Sequence, residues 1–78
     1  MKVLAFGITK DILGKSEIEL NNFDGLTVGD LRAYLIKSYN TFGELNSLAI
    51  AVNEEYAQDH ATLNESDVVA LIPPVSGG

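Results

Sequence analysis

The chain has 78 residues, 46% of them hydrophobic and 21% charged, and its 5 Lys and Arg against 11 Asp and Glu give a formal net charge of −6. This length allows one domain, and this composition excludes a disordered chain. The absence of cysteine excludes disulfides, thiolate metal sites and a thiol nucleophile, and the acidic balance argues against nucleic acid and anionic membranes as partners.

The beginning of the chain predicts a β-hairpin. Residues 2–8 form an apolar run with β-branched and aromatic side chains, which is typical of a strand. Residues 16–20 alternate polar and apolar side chains, which is typical of a half-exposed strand. Residues 10–15 are expected to be a connection closed by Gly14, so that the two strands lie close enough to pair.

A helix is predicted next, beginning after Thr27. Thr27 is a suitable N-cap, and Asp30 follows three residues later, where its carboxylate can accept from N–H groups of the first turn. Gly29 in that turn costs about 1 kcal/mol relative to alanine. The helix is expected to end near residues 39–40, because one apolar stripe at spacings of three and four runs through Val28, Leu31, Leu35 and Tyr39.

The remainder of the chain predicts further strands and completes the fold class. Residues 48–52 form a short buried strand, residues 56–57 a strand stub, and residues 68–72 a strongly β-forming run that Pro73 and Pro74 end. The order β-β-α-β-(β)-β fits an α+β fold of the β-grasp, or ubiquitin-like, type, although the order alone fits other α+β folds too. We therefore expect a mixed sheet of four to five strands with one main helix on one face. The β-grasp domain is expected over residues 1–72 and an extended tail over residues 73–78.

Alternation along the first strand predicts which face of the sheet lacks a helix. Two sets of side chains alternate, Lys2, Leu4, Phe6 and Ile8 on one face and Val3, Ala5 and Gly7 on the other. Lys2 marks its own face as the solvent side, so the helix is expected to pack on the other one. Leu4 and Phe6 then lie on an uncovered face, either as ordinary exposed or loop-covered residues or as an apolar docking patch.

Catalytic side chains are scarce in this sequence. It has one histidine, His60, no cysteine and no carboxylate pair at a recognisable spacing. His60 is expected to be an ordinary loop residue, and no metal site is predicted. No segment approaches the roughly 20 apolar residues of a transmembrane helix, and the beginning of the chain does not read as a signal peptide. A cytoplasmic protein with a binding or carrier role is therefore expected.

The charges are distributed unevenly along the chain. Every Lys and Arg lies within the first 37 positions, together with five acids that balance them. The later positions have no Lys or Arg and carry six acids, Glu44, Glu54, Glu55, Asp59, Glu65 and Asp67. These six acids are expected to steer the tail toward electropositive sites on partners.

The tail, residues 73–78, is the most informative segment. Pro73 and Pro74 would hold its start extended, and Gly77 and Gly78 have no side chains. Six residues reach about 20 Å at most. Such a tail can thread a channel too narrow for a Cβ atom and present the carboxylate of Gly78 to a remote reactive centre. The plain alternative is a glycine tail without function.

Four segments carry a resemblance to a known family. They are residues 2–6, read as Lys-Val-Leu-Ala-Phe, residues 26–31, Leu-Thr-Val-Gly-Asp-Leu, residues 51–53, Ala-Val-Asn, and residues 67–78, Asp-Val-Val-Ala-Leu-Ile-Pro-Pro-Val-Ser-Gly-Gly. Over essentially its whole length the chain resembles the small subunit of molybdopterin synthase, the ubiquitin-like sulfur carrier of molybdenum cofactor biosynthesis. One difference follows the first strand, where that family commonly has Arg-Glu and this chain has Lys10 and Asp11, since lysine cannot form the bidentate fork of arginine.

The resemblance implies a chemical role for the tail. Gly78 would be adenylated with ATP, converted to a thiocarboxylate by a persulfide sulfur, and would donate that sulfur to a cyclic pterin precursor to form the molybdopterin dithiolene. Gly77 would enter the narrow channel with it. The inserted arm would consist of Pro73, Pro74, Val75 and Ser76, and the apolar docking patch of Phe6, Tyr56 and Ile72.

The same resemblance implies the partners. They are the large subunit of molybdopterin synthase, in a heterotetramer with two small subunits, a ubiquitin-activating-like adenylyltransferase, and a sulfurtransferase as the sulfur source. The chain alone is expected to be non-catalytic and to bind no cofactor, because ATP and Mg²⁺ would be used by the activating partner.

Two alternatives stay open. A ubiquitin-like protein modifier, or a sulfur carrier for tRNA or thiamine thiolation, would use the same activation chemistry at Gly78. A plain β-grasp interaction module would carry its glycine tail by chance.

Overall fold

Within residues 1–44 and 48–73, which the structure, a computed structural model, describes, five strands form one mixed sheet. The strands are β1 (Lys2–Ala5), β2 (Glu17–Glu19), β3 (Ala49–Val52), β4 (Glu55–Tyr56) and β5 (Val68–Ile72), and the helices are α1 (Ile8–Leu13), α2 (Val28–Ser38) and a 3-10 turn over Asn40–Glu44. The strand order is β2-β1-β5-β3-β4. β1 and β5 pair in parallel at the centre, and the other pairs are antiparallel. The predicted β-grasp arrangement with one main helix is therefore confirmed.

The chain leaves β1 earlier than its sequence predicts. A strand was expected through Ile8 and a connection over residues 10–15, but β1 ends at Ala5 and the short helix α1 follows. Gly7 makes the turn, with φ 55° and ψ −128°, a conformation that glycine adopts far more readily than other residues. The β-branched Ile8 and Thr9 favour a strand locally, which is why a strand is predicted through them. The prediction is wrong because the turn at Gly7 takes the chain out of the sheet before it reaches them.

The N-terminus of α2 is capped as predicted. The Thr27 hydroxyl accepts from the Asp30 N–H at 3.1 Å, and the Asp30 carboxylate accepts from the Thr27 N–H at 2.9 Å. Both halves of a capping box are thus present. The helix ends at Ser38 with Tyr39 as its C-cap, in agreement with the predicted end.

The first turn of α2 also packs against residues 59–61. The Val28 N–H donates to the Ala61 carbonyl at 2.9 Å, and the Gly29 N–H donates to the Asp59 carbonyl at 2.8 Å. A Cβ on residue 29 would lie 3.2 Å from that Asp59 oxygen, so glycine allows the two backbones to approach. The close approach gives the physical reason for a residue that otherwise weakens the helix.

The core lies between α2 and one face of the sheet. It contains the predicted helix stripe and the inward side chains of β1, β3 and β5, with Val28, Leu31, Leu35, Val3, Ile50, Val69 and Leu71 in one buried cluster. Val3 and Ala5 are buried and Lys2 is exposed, as alternation predicts. The other face of the sheet has no helix packed on it among the elements that the structure describes.

Two polar turns meet at the beginning of β5. The Asp67 carboxylate is buried and accepts from the Asn53 side-chain amide at 2.9 Å and from the Asn64 N–H at 2.8 Å. The side-chain oxygen of Asn53 accepts from the Val68 N–H at 3.0 Å. In the β3–β4 turn Asn53 and Glu54 both have positive φ, 51° and 71°. Asparagine adopts this region readily, so the backbone strain lies at Glu54. This network ties that turn to the start of β5.

Candidate functional site

The face of the sheet opposite α2 is an apolar surface, which we call the open face. The register places Leu4 of β1 beside Ala70 of β5, Ala70 beside Ala51 of β3, and Ala51 beside Tyr56 of β4. A row of apolar side chains therefore crosses four strands. Glu17 of β2 pairs with Leu4 and ends the row with a carboxylate.

All three predicted docking residues lie on the open face. Phe6, 50% exposed, continues the outward alternation of β1, and Ile72, which is half-buried, is outward on β5 because Leu71 points into the core. Tyr56, 75% exposed, lies on the edge strand β4. Since β1 and β4 are three strand spacings apart, Tyr56 lies about 14 Å across the sheet from the line of Phe6. The patch is thus broad. Leu4, which alternation placed on this face, and Ala70, which the sequence prediction did not include, lie between its ends.

The base of the tail adjoins the open face at Pro73. Ile72 is the last residue of β5, so the strand ends where the proline was predicted to end it. Pro73 is half-buried, and its Cγ lies 3.5 Å from the position that a Cβ on Gly7 would occupy. The turn at Gly7 and the start of the tail therefore lie side by side.

The predicted reactive end of the tail lies outside the described residues. Pro74, Val75, Ser76, Gly77 and Gly78 all fall there. The proposed division between a domain of residues 1–72 and a tail of residues 73–78 stays a prediction.

A buried hydroxyl lies beside the tail base. The Thr9 hydroxyl accepts from the Phe6 N–H at 2.8 Å. Its oxygen lies 2.6 Å from the Phe6 carbonyl oxygen and 3.2 Å from the Leu71 carbonyl oxygen, so its one proton is shared between these two acceptors. Thr9 is fully buried. The sequence contained no signal for this contact, because its two ends are 62 positions apart along the chain.

The charges near the tail base differ from those at the other end of β5. A shallow groove of about 420 Å³ beside Gly7 is bordered by Lys10 and Glu17, so charges of both signs lie there. The turn that contains Glu54 and the turn that contains Glu65 both lie at the beginning of β5, because Val52 pairs with Val69 and residue 65 precedes the strand. The tail base and these acids are therefore at opposite ends of the strand.

Two further acids have structural roles. Asp59 accepts from the guanidinium Nε of Arg32 at 3.1 Å, and a second nitrogen of Arg32 donates to the Leu48 carbonyl at 2.7 Å. Asp67 is the buried acceptor described above. These two acids are therefore engaged in contacts within the domain, unlike the exposed Glu54 and Glu65.

The described part of the chain offers no metal centre and no membrane span. Across residues 1–44 and 48–73, no three His, Cys, Asp or Glu side chains are grouped so that they could hold an ion. His60 is exposed in the loop after β4. None of the helices described is long and apolar enough to cross a membrane.

Comparison with curated proteins finds sulfur carrier subunits of molybdopterin synthase. The molybdopterin synthase sulfur carrier subunit of Chlamydomonas reinhardtii is 35% identical over 81 residues, covering 100% of this chain and 98% of that protein. The protein of the same name from Arabidopsis thaliana is 33% identical, covering 100% of this chain and 82% of that protein.

Solved structures share the fold. The putative molybdopterin converting factor subunit 1 of Pyrococcus furiosus superposes with a TM-score of 0.84 at 30% identity, covering 95% of each chain. SAMP1 of Haloferax volcanii has a TM-score of 0.82 at 23% identity, covering 100% of this chain and 98% of that one, a likeness that shows the fold alone. A complex of subunits 1 and 2 of the molybdopterin-converting factor from Helicobacter pylori contains a match with a TM-score of 0.67 at 29% identity, covering 99% of this chain and 96% of that one.

The sequence model of the ThiS family matches residues 3–78. Family, topology and relatives agree with the resemblance carried by the strand, helix and tail segments. The chain therefore belongs to the ThiS family, and the curated relatives that it matches over its full length are sulfur carrier subunits of molybdopterin synthase.

Proposed function

We propose that this chain is the sulfur-carrier small subunit of a molybdopterin synthase and carries its sulfur on the carboxyl group of Gly78. The observation that carries the proposal is the continuity between the open face and the tail base. Ile72 belongs to the apolar surface, and Pro73 follows it directly. A partner that covers the open face is thereby brought to the residue from which the tail starts.

The chemistry requires activation by another protein. A carboxylate is a poor acyl donor, because its leaving group would be oxide. Adenylation by ATP releases pyrophosphate and makes AMP the leaving group. A persulfide sulfur then attacks the acyl carbon and displaces AMP, giving an acyl disulfide. A thiol of a partner protein cleaves its sulfur–sulfur bond by thiol–disulfide exchange, which leaves the thiocarboxylate on Gly78 and a disulfide on the partner.

Partners supply what this chain lacks. The ubiquitin-activating-like adenylyltransferase would bind ATP and Mg²⁺, a sulfurtransferase would provide the persulfide, and the large subunit would bind the pterin precursor and move its protons. The chain itself would be non-catalytic and bind no cofactor, and the reaction would take place in the cytoplasm. The complex of the Helicobacter pylori relative supports the large subunit as a partner.

Intact mass spectrometry tests the tail chemistry. The full chain is incubated with ATP, Mg²⁺, the adenylyltransferase and a sulfur donor, and the mass is expected to rise by the exchange of one oxygen for sulfur. A chain lacking Gly78, and one with a bulky residue added after it, are expected to remain unmodified with unchanged circular dichroism. No mass gain with an activator that loads another carrier would refute the proposal, and conjugates with target proteins in cell extract would favour the modifier alternative.

A binding experiment tests the open face separately. Phe6→Ala and Tyr56→Ala are each expected to weaken binding to the large subunit about tenfold or more, as truncations of aromatic contact residues do. Ile36→Ala is the matched control, because Ile36 is an exposed apolar side chain on α2. If Phe6→Ala and Tyr56→Ala bind the large subunit as tightly as Ile36→Ala does, the partner does not cover the open face.

A further inference from the structure

The end of β1 and the end of β5 are joined by one side chain. Thr9 belongs to neither strand, yet its hydroxyl bonds both backbone groups of Phe6 and faces the carbonyl of Leu71. We call this set of hydrogen bonds the Thr9 clasp. Phe6 directly follows β1, and Leu71 is the second-to-last residue of β5, two positions before the tail base at Pro73.

The clasp replaces a rung of the sheet. β1 and β5 pair in parallel up to Ala5 and Leu71, and beyond this pair the turn at Gly7 removes the backbone of β1 from the ladder. Beyond Ala5 the backbones of β1 and β5 diverge. The Thr9 hydroxyl lies between them, accepting from the Phe6 N–H and lying 3.2 Å from the Leu71 carbonyl oxygen. Thr9 is fully buried and its bond to Leu71 is buried with it, so water does not compete for that bond, whereas the two bonds to Phe6 are partly buried.

A second contact acts at the same place. Pro73 lies against the bare backbone of Gly7, with its Cγ 3.5 Å from the position of a Cβ there. Gly7 adopts a conformation that is readily available to glycine and has no side chain, so the proline ring can approach its backbone. The Thr9 clasp and the Gly7–Pro73 contact therefore fix the same two chain segments relative to each other.

We infer that Thr9 is a positioning residue for sulfur transfer, because it holds the start of the tail in a fixed direction relative to Phe6 on the open face. The inference rests on the proposed function. The docked open face sets where the domain sits on its partner, and the clasp sets where the tail starts from that position. Loosening it spreads the tail over more directions, so fewer docked complexes have the thiocarboxylate at the reacting position.

The test uses single-turnover sulfur transfer from full-length, thiocarboxylated chain to the pterin precursor on the large subunit. Thr9→Val keeps the shape of the side chain and removes the clasp, and Thr9→Ser restores the hydroxyl. At saturating large subunit we expect the valine variant to transfer roughly tenfold more slowly, with serine recovering most of the rate, since small misplacements of reacting groups cost this much or more. The concentration of large subunit giving half the maximal rate is expected to change by about twofold or less, because the docking side chains are unaltered.

Thr27→Val is the matched control for lost stability. It removes the hydroxyl of another hydrogen-bonded threonine, at the N-cap of α2, which bonds Asp30 and not β5. All variants are assayed at a temperature at which circular dichroism shows them folded. Transfer by Thr9→Val at the wild-type rate, or equal slowing by Thr27→Val, would overturn the inference.

Amide hydrogen exchange separates this inference from the proposed function. In Thr9→Val the Phe6 amide is expected to lose protection while the Val3 amide keeps it, whatever the chemistry of the tail. Wild-type protein that transfers no sulfur would refute the proposed function. Unchanged protection of Phe6 in the valine variant would refute the clasp itself.

Discussion

Replacing Gly29 with alanine tests whether residues 59–61 form a rigid partner for α2. Two effects oppose each other at this position. Alanine in a helix is more favourable than glycine by up to about 1 kcal/mol. The added Cβ, however, would lie 3.2 Å from the Asp59 carbonyl oxygen and 3.3 Å from the Asp59 Cβ, which is closer than ordinary packing.

Asp59 is held in place, so the steric effect is expected to win. Its carbonyl accepts from the Gly29 N–H at 2.8 Å, and its carboxylate accepts from Arg32 at 3.1 Å. Overpacking of this kind costs about 1–3 kcal/mol. Subtracting the helix preference leaves a net loss of about 1 kcal/mol, which lowers Tm by about 4–8 °C in a domain of this size.

Thermal and urea unfolding followed by circular dichroism measure this difference. Ala33→Gly is the control for helix preference, because Ala33 is exposed on the same helix, and it is expected to lose about 1 kcal/mol. If Gly29→Ala instead raises the free energy of unfolding by the amount that Ala33→Gly lowers it, residues 59–61 move aside without cost and are not a rigid partner for α2.

Three further predictions follow from the turns and the charges. Glu54→Gly is expected to raise the free energy of unfolding by about 1 kcal/mol, because φ at Glu54 is 71° and glycine adopts this value without strain. Glu55→Gly, in strand β4, is the control and should lower it. A loss at both positions in urea unfolding would show that Glu54 is not strained. Asp67→Ala is expected to lower the free energy of unfolding by about 2–3 kcal/mol, because two donors lose their buried carboxylate acceptor. Asp67→Asn keeps one acceptor oxygen and is expected to lose less. Equal losses in urea unfolding would show that the retained oxygen contributes nothing. Replacing Glu54 and Glu65 together with glutamine should slow stopped-flow association with the large subunit, because the negative charge falls, but should leave sulfur transfer at saturating large subunit within about twofold, because both turns lie at the other end of β5 from the tail base; a tenfold drop in transfer at saturation would show that these acids orient the tail.

The sequence predicted α2 well because its signals are local. A capping box, an apolar stripe and a stop near Tyr39 all act within one or two helical turns, and each one is present. The function of Gly29 could not be predicted in this way. Its reason is the carbonyl of Asp59, 30 positions later in the chain, which no local pattern indicates.

The open face was predictable on one strand and not on another. In β1, Lys2 marks the solvent side, so alternation places Phe6 outward correctly. In β5 every residue is apolar, and sequence parity leaves the face of Ile72 undecided. The register decides it, because Leu71 pairs with the buried Ile50 and its neighbour then points outward.

The helix α1 and the Thr9 clasp were missed for a related reason. Ile8 and Thr9 favour a strand in isolation, and the turn that defeats this preference depends on Gly7 and on a hydrogen bond to Leu71. The local signal that favoured a turn was Gly7 itself, in the middle of an apolar run. In this chain the glycine determines the backbone path, and the β-branched pair after it follows into a helix.

The positions of the acids change what the charge asymmetry implies for docking. Four residue steps of about 3.3 Å separate Val68 from Ile72, so the turns bearing Glu54 and Glu65 lie about 13 Å or more from the tail base. An electropositive partner would attract this acidic end first, whereas the tail starts from the end where Lys10 lies. Net charge can therefore raise the encounter rate without orienting the tail. Orientation has to come from short-range contacts, and the open face, which runs continuously from Tyr56 across the sheet to Ile72 and the tail base, is the surface that can supply them.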